Sequence, residues 1–112
     1  MKTQLQQIIN NDPNSIKAEV AKEALCYDDP RTFFTDLLQF GCVSGWVGSL
    51  IYYVDTHAFY DRYYDEIETL REDYEDSIGE PLRIKGDLKN FFAWFSYEET
   101  AYQLACELEL DL

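Results

Sequence analysis

One histidine, three cysteines and a dense set of carboxylates are the residues of this chain most able to do chemistry. His57, Asp61 and Asp65 stand four apart, so on a helix they share one side. A metal site there would need a second nitrogen or a carboxylate from another helix, and no Glu precedes His57 in the ExxH spacing of di-iron bundles. The spacing predicts instead an exposed pair between His57 and Asp61, with no metal. Cys26, Cys42 and Cys106 are odd in number and lack CxxC spacing, which fits reduced thiols better than a disulfide framework or a zinc site. Each lies in an apolar stretch, which predicts burial rather than a thiolate beside His57. No nucleophile elbow occurs.

Carboxylates are the remaining chemistry. Glu98 and Glu99 open a pattern similar to the EExxE with which all-α nucleotide pyrophosphatases hold magnesium, but Tyr102 stands where the third Glu belongs. Glu68, Glu72 and Asp76 supply further pairs one turn apart, of the kind that bind magnesium through waters and substrate phosphates. With the motif incomplete, a magnesium-dependent nucleotide hydrolase ranks last among the readings. An enzyme is not expected, and neither is a cofactor.

The acids concentrate in residues 55–80, DTHAFYDRYYDEIETLREDYEDSIGE. Phe59, Tyr63, Ile67, Leu70, Tyr74 and Ile78 recur at steps of three or four, predicting one long helix with an apolar inner stripe. Asp61, Asp65, Glu68, Glu72 and Asp76 recur on another side as an acidic ridge, flanked by Glu66, Asp73 and Glu75. Within these residues ten acids face only Arg62 and Arg71. Like charges one turn apart cost a helix roughly 0.2–0.5 kcal/mol per pair, so stability alone does not favour such a ridge. It is either a solvated face that aids solubility or a surface for a cationic partner. Neighbouring ridge carboxylates rise by about 4.5 or 6 Å, a loose match to the ~3.4 Å spacing of phosphates along one DNA strand.

The elements that must position these residues are helices. Leu5, Ile8 and Ile9 give a short first helix an apolar side, and Asn11–Asn14 form a turn cluster. Ser15 caps a second helix, and Asp29 followed by Pro30 starts a third that Gly41 ends. Gly41, Gly45 and Gly48 put small residues on one side of the next stretch, suited to close packing. They form no phosphate loop, because no GK[ST] follows. Gly79 and Pro81 stop the long helix, and residues 80–85 are at most a short edge. Asp87 caps a last helix, with a break expected near Ser96. The fold class expected is all-α: one domain over residues 1–112, a compact bundle of about five helices with the long acidic helix near residues 55–78.

Length and charge narrow the function. A chain of 112 residues holds a real core but no large pocket. A net charge of −13 repels nucleic acid and anionic membranes and favours basic proteins. No apolar leader opens the chain, and the longest mainly apolar run, residues 42–54, is too short to cross a bilayer. A soluble cytoplasmic protein is expected.

GSLIYYVDTHAFYDRYYDEIETLREDYED together with LKNFFAWFSYEETAYQLA resembles a family of small acidic proteins of phages and conjugative elements. The overall texture is also similar to antirestriction and anti-CRISPR DNA mimics. The resemblance implies a bacterial host cell and a protein that counters host defence, and it assigns no site residues. The function expected is therefore a non-enzymatic inhibitor that offers carboxylates in place of DNA phosphates. Its partner would be the basic groove of a nucleic-acid-binding defence protein. Asp61, Asp65, Glu68, Glu72 and Asp76 would be the central contacts, with Glu66, Asp73 and Glu75 beside them. The alternative is a small structural or regulatory interaction module that uses Tyr52, Tyr53, Tyr60 and Tyr64 as a contact or homodimer surface.

Overall fold

The computed structural model of the protein describes residues 1–40, 56–83 and 86–110. Six α-helices account for most of them: α1 (Lys2–Asn11), α2 (Ile16–Leu25), α3 (Pro30–Phe40), α4 (Thr56–Arg62), α5 (Tyr64–Ile78) and α6 (Leu88–Glu107). Among the described residues there is no strand, and the fold is all-α. The small-residue face of Gly41, Gly45 and Gly48 lies outside the described residues, as do Cys42, Tyr52, Tyr53, Asp55, Ile84, Lys85 and Asp111.

The helix starts follow their capping residues. Ser15 Oγ accepts the Ala18 N–H at 3.1 Å, and Asp87 Oδ1 accepts that of Asn90 at 3.1 Å. Before α3, Asp29 Oδ1 accepts the Arg31 N–H at 3.0 Å, with Pro30 as the first helical residue. Gly79 ends α5 at φ +78°, a left-handed conformation that glycine adopts without steric cost.

The bundle is assembled around α6, which packs against α2, α3, α4 and α5. Phe92, Ala93, Ser96, Tyr97, Ala101, Leu104 and Ala105 are its buried residues. Small and large side chains are mixed on that face, which lets neighbouring helices approach closely between the anchors. They meet Leu5, Ile16, Val20, Phe33, Phe34, Phe59 and Ile67 in one core. The break expected at Ser96 does not occur. Its buried hydroxyl donates to the Ala93 carbonyl at 3.0 Å, so the helix satisfies it internally.

Residues 56–78 bend where one long helix is expected. Tyr63 separates α4 from α5 at φ −109°, ψ +28°, which makes six helices among the described residues. The hydrogen bonds Tyr63 N–H to Phe59 carbonyl and Ile67 N–H to Tyr63 carbonyl persist at 3.0 and 2.9 Å, so the chain path stays continuous. Neither proline nor glycine stands there. The bend coincides with the inward reach of Tyr63, whose hydroxyl donates to Glu19 of α2 at 2.8 Å. The inner stripe is likewise shorter than its periodicity suggests. Phe59, Tyr63 and Ile67 are buried, whereas Tyr74 and Ile78 are 40% and 42% exposed. At the C-terminal end of α5, Tyr74 meets Phe95 of α6 at 5.2 Å.

Candidate functional site

Eight carboxylates of residues 61–76 form the predicted site, and tertiary contacts divide them. Asp61 lies on α4 and accepts from Lys89 Nζ of α6 at 3.0 Å. Glu66 reaches α2, where Oε2 accepts the Ile16 N–H at 3.3 Å. Its residue surface is largely exposed, yet burial of the carboxylate raises its pKa, and the Ile16 N–H offsets part of that rise. Glu68 accepts from the Tyr60 hydroxyl at 2.5 Å and pairs with Arg71. Glu75 holds Arg71 Nε at 2.7 Å and caps the backbone N–H of Leu82 at 3.3 Å. The Arg71 guanidinium also lies 5.2 Å from the centre of the Phe92 ring.

Asp65, Glu72, Asp73 and Asp76 are different. All four are exposed, and among the described residues none of their side chains has an ion pair or hydrogen bond. At 100° per residue they fall within about one quarter of the helix circumference. From Asp65 to Asp76 the axial rise is about 16 Å. The expected ridge thus reduces to an open strip of four acids, because Asp61, Glu66, Glu68 and Glu75 are held by their own neighbours.

The other candidates sit elsewhere than expected. His57 Nε2 lies 2.5 Å from Asp87 Oδ2, so its partner is the cap of α6 and not Asp61. The His57 contact and the Asn90 N–H together hold the Asp87 carboxyl below the usual range. Cys26 and Cys106 are exposed, which corrects the expectation of burial. Cys26 lies just past α2, and Leu104 and Ala105 take the inward face beside Cys106. Burial raises the Glu98 pKa. Among the described residues no three His, Cys, Asp or Glu side chains converge to hold a metal ion. Tyr60 is engaged by Glu68, with Lys89 Nζ 5.7 Å from its ring centre, whereas Tyr64 is 51% exposed.

One feature had no clear signal in the sequence. A cleft of about 450 Å³ opens where α2, α5 and α6 meet, lined among others by Lys17, Asp65, Glu66, Leu70, Gln103 and Glu107. Lys17 Nζ lies 2.5 Å from Glu107 Oε2 along it. These residues come from segments far apart in the chain, so no local pattern announces the cleft.

No described helix is long and apolar enough to cross a membrane. No curated protein and no solved structure matches the chain. Residues 13–110, which leave out only α1 and the chain ends, match the family model described as Domain of unknown function (DUF7222). The chain belongs to that family.

Proposed function

We propose that the protein is a non-enzymatic acidic ligand that occupies the basic nucleic-acid-binding groove of another protein. A single observation carries the reading: Asp65, Glu72, Asp73 and Asp76 line one exposed side of α5 without a cation among the described residues, although the same helix neutralises Glu68 and Glu75. Carboxylates fixed along a helix present charge to lysines and arginines without the entropy cost of ordering a loop. A defence nuclease of restriction or CRISPR type has a groove of that chemistry and is the partner proposed. The test is displacement of a labelled DNA duplex from a purified panel of such nucleases. The expected result is competitive displacement from at least one member that weakens steeply with added salt. Failure to displace DNA from any member at low salt would reject the reading for this partner class.

A second reading rests on the exposed apolar end of α5 and α6. Tyr74, Ile78, Leu88 and Phe91 are each between 38% and 51% exposed, and Tyr74 and Phe91 both meet the ring of Phe95. A self-association surface there would show as a dimer in sedimentation that persists at high salt and dissociates on Phe91→Ser. A monomer at all concentrations would remove it.

A further inference from the structure

We infer that the cleft between α2, α5 and α6 receives one arginine or lysine side chain from the basic partner, an inference that rests on the function proposed above. Such a side chain is an aliphatic stem ending in a cation, and the cleft offers both halves of the complement. Leu70, with Thr69 and Thr100 beside it, supplies lining for a stem. Asp65, on the open strip and also on the cleft, supplies a carboxylate for the head.

The molecule already places a cation of this kind there. Lys17 brings its ammonium to Glu107 at 2.5 Å. With Asp65, Glu66 and Glu107 against that single lysine, the lining remains net negative and has charge to accept a second cation. Glu66 is engaged by the Ile16 N–H, which leaves Asp65 as the acceptor expected to dominate. The cleft thereby gives the open strip a point of register: the strip attracts a basic surface, and the cleft selects where one long side chain of it enters.

Titration of a fluorescent hexa-arginine peptide at low salt tests this. Gln103→Trp and Thr69→Trp narrow the cleft from α6 and from α5 without altering charge, and both replaced side chains are exposed. Unchanged far-ultraviolet circular dichroism would confirm that each variant folds. Each is expected to weaken binding about three- to fivefold, the upper range for one exposed charge pair, with the salt slope intact. Lys17→Ala should strengthen binding about twofold more than Lys22→Ala, which removes the same charge outside the cleft. If both Trp variants bind at full affinity while Glu72→Lys/Asp73→Lys/Asp76→Lys loses binding, the cleft inference is overturned and the proposed function stands. Loss in the Trp variants without loss in the charge reversal overturns the proposed function and keeps the cleft as a cation site. Spermine binding without peptide binding would make the occupant a free polyamine and overturn the inference.

Discussion

On one flank of α5, Glu68 and Glu75 each hold two partners and share Arg71. On the other, Asp65, Glu72, Asp73 and Asp76 hold none among the described residues. Both flanks carry carboxylates at interleaved positions, but the paired flank is two Glu and the open one is Glu72 with three shorter Asp. Arg71 decides much of the difference, because it stands three residues after Glu68 and four before Glu75 while lying over Phe92. Its pKa is raised, first by the hydrogen bond to Glu75, so the pair reinforces the charged state of the arginine. A carboxylate near a cation and a packed helix becomes part of the scaffold. One turned to solvent is left without a cation from the scaffold among the described residues.

The largest effect expected concerns the stripe beneath the two flanks. Ile67 is fully buried, so Ile67→Ala should cost about 3 kcal/mol of stability through lost burial and the cavity left behind. Ile78→Ala, at a position 42% exposed, should cost less than about 1 kcal/mol. Urea unfolding midpoints measure both. Equal losses would show that the two ends of the stripe do not differ as described.

Glutamine scanning compares the flanks directly. Glu75→Gln weakens the Arg71 bridge and the cap on Leu82, and should cost about 1 kcal/mol. Glu72→Gln should be neutral or stabilising by a few tenths of a kcal/mol, since it relieves repulsion with neighbouring acids. A comparable loss in both would mean that Glu72 also has a structural partner.

A third comparison is alkaline. Tyr60 is pushed from its usual value near 10 to about 12, chiefly because its hydroxyl donates to Glu68. A folded-state pKa above the unfolded one means that this stabilisation is fully present below pH 10. It is lost as pH rises through about 12. Tyr60→Phe should therefore be less stable than the native protein below pH 10, with the gap closing toward pH 12. A gap that stays constant over that range would place the Tyr60 hydroxyl outside the paired flank.

Much of the fold was legible because its signals are local. Ser15, Asp29–Pro30, Gly79 and Asp87 mark helix ends through contacts within a few residues, and each does so in the structure. The bend at Tyr63 and the central place of α6 depend on contacts with distant segments, above all Tyr63 with Glu19. Periodicity also places a residue on a side of a helix without saying what lies opposite. That is why Tyr74 and Ile78 read as inner residues and remain exposed. His57 shows the same limit, since Asp61 is near in the chain and Asp87 is near in space. Among the acids, spacing was legible and partnership was not.

The proposed function requires that the open flank, and not acidity in general, binds a basic groove. It is tested most directly by comparing two variants in DNA displacement from the most responsive nuclease of the panel. Glu72→Lys/Asp73→Lys/Asp76→Lys reverses the open flank, and Glu68→Gln/Glu75→Gln neutralises the paired one. A loss of about a hundredfold or more is expected for the first and less than about 1.5-fold for the second, at low salt and with helix content retained. Equal losses per unit of charge removed would contradict it, because binding would then follow net charge and not the placement of these carboxylates.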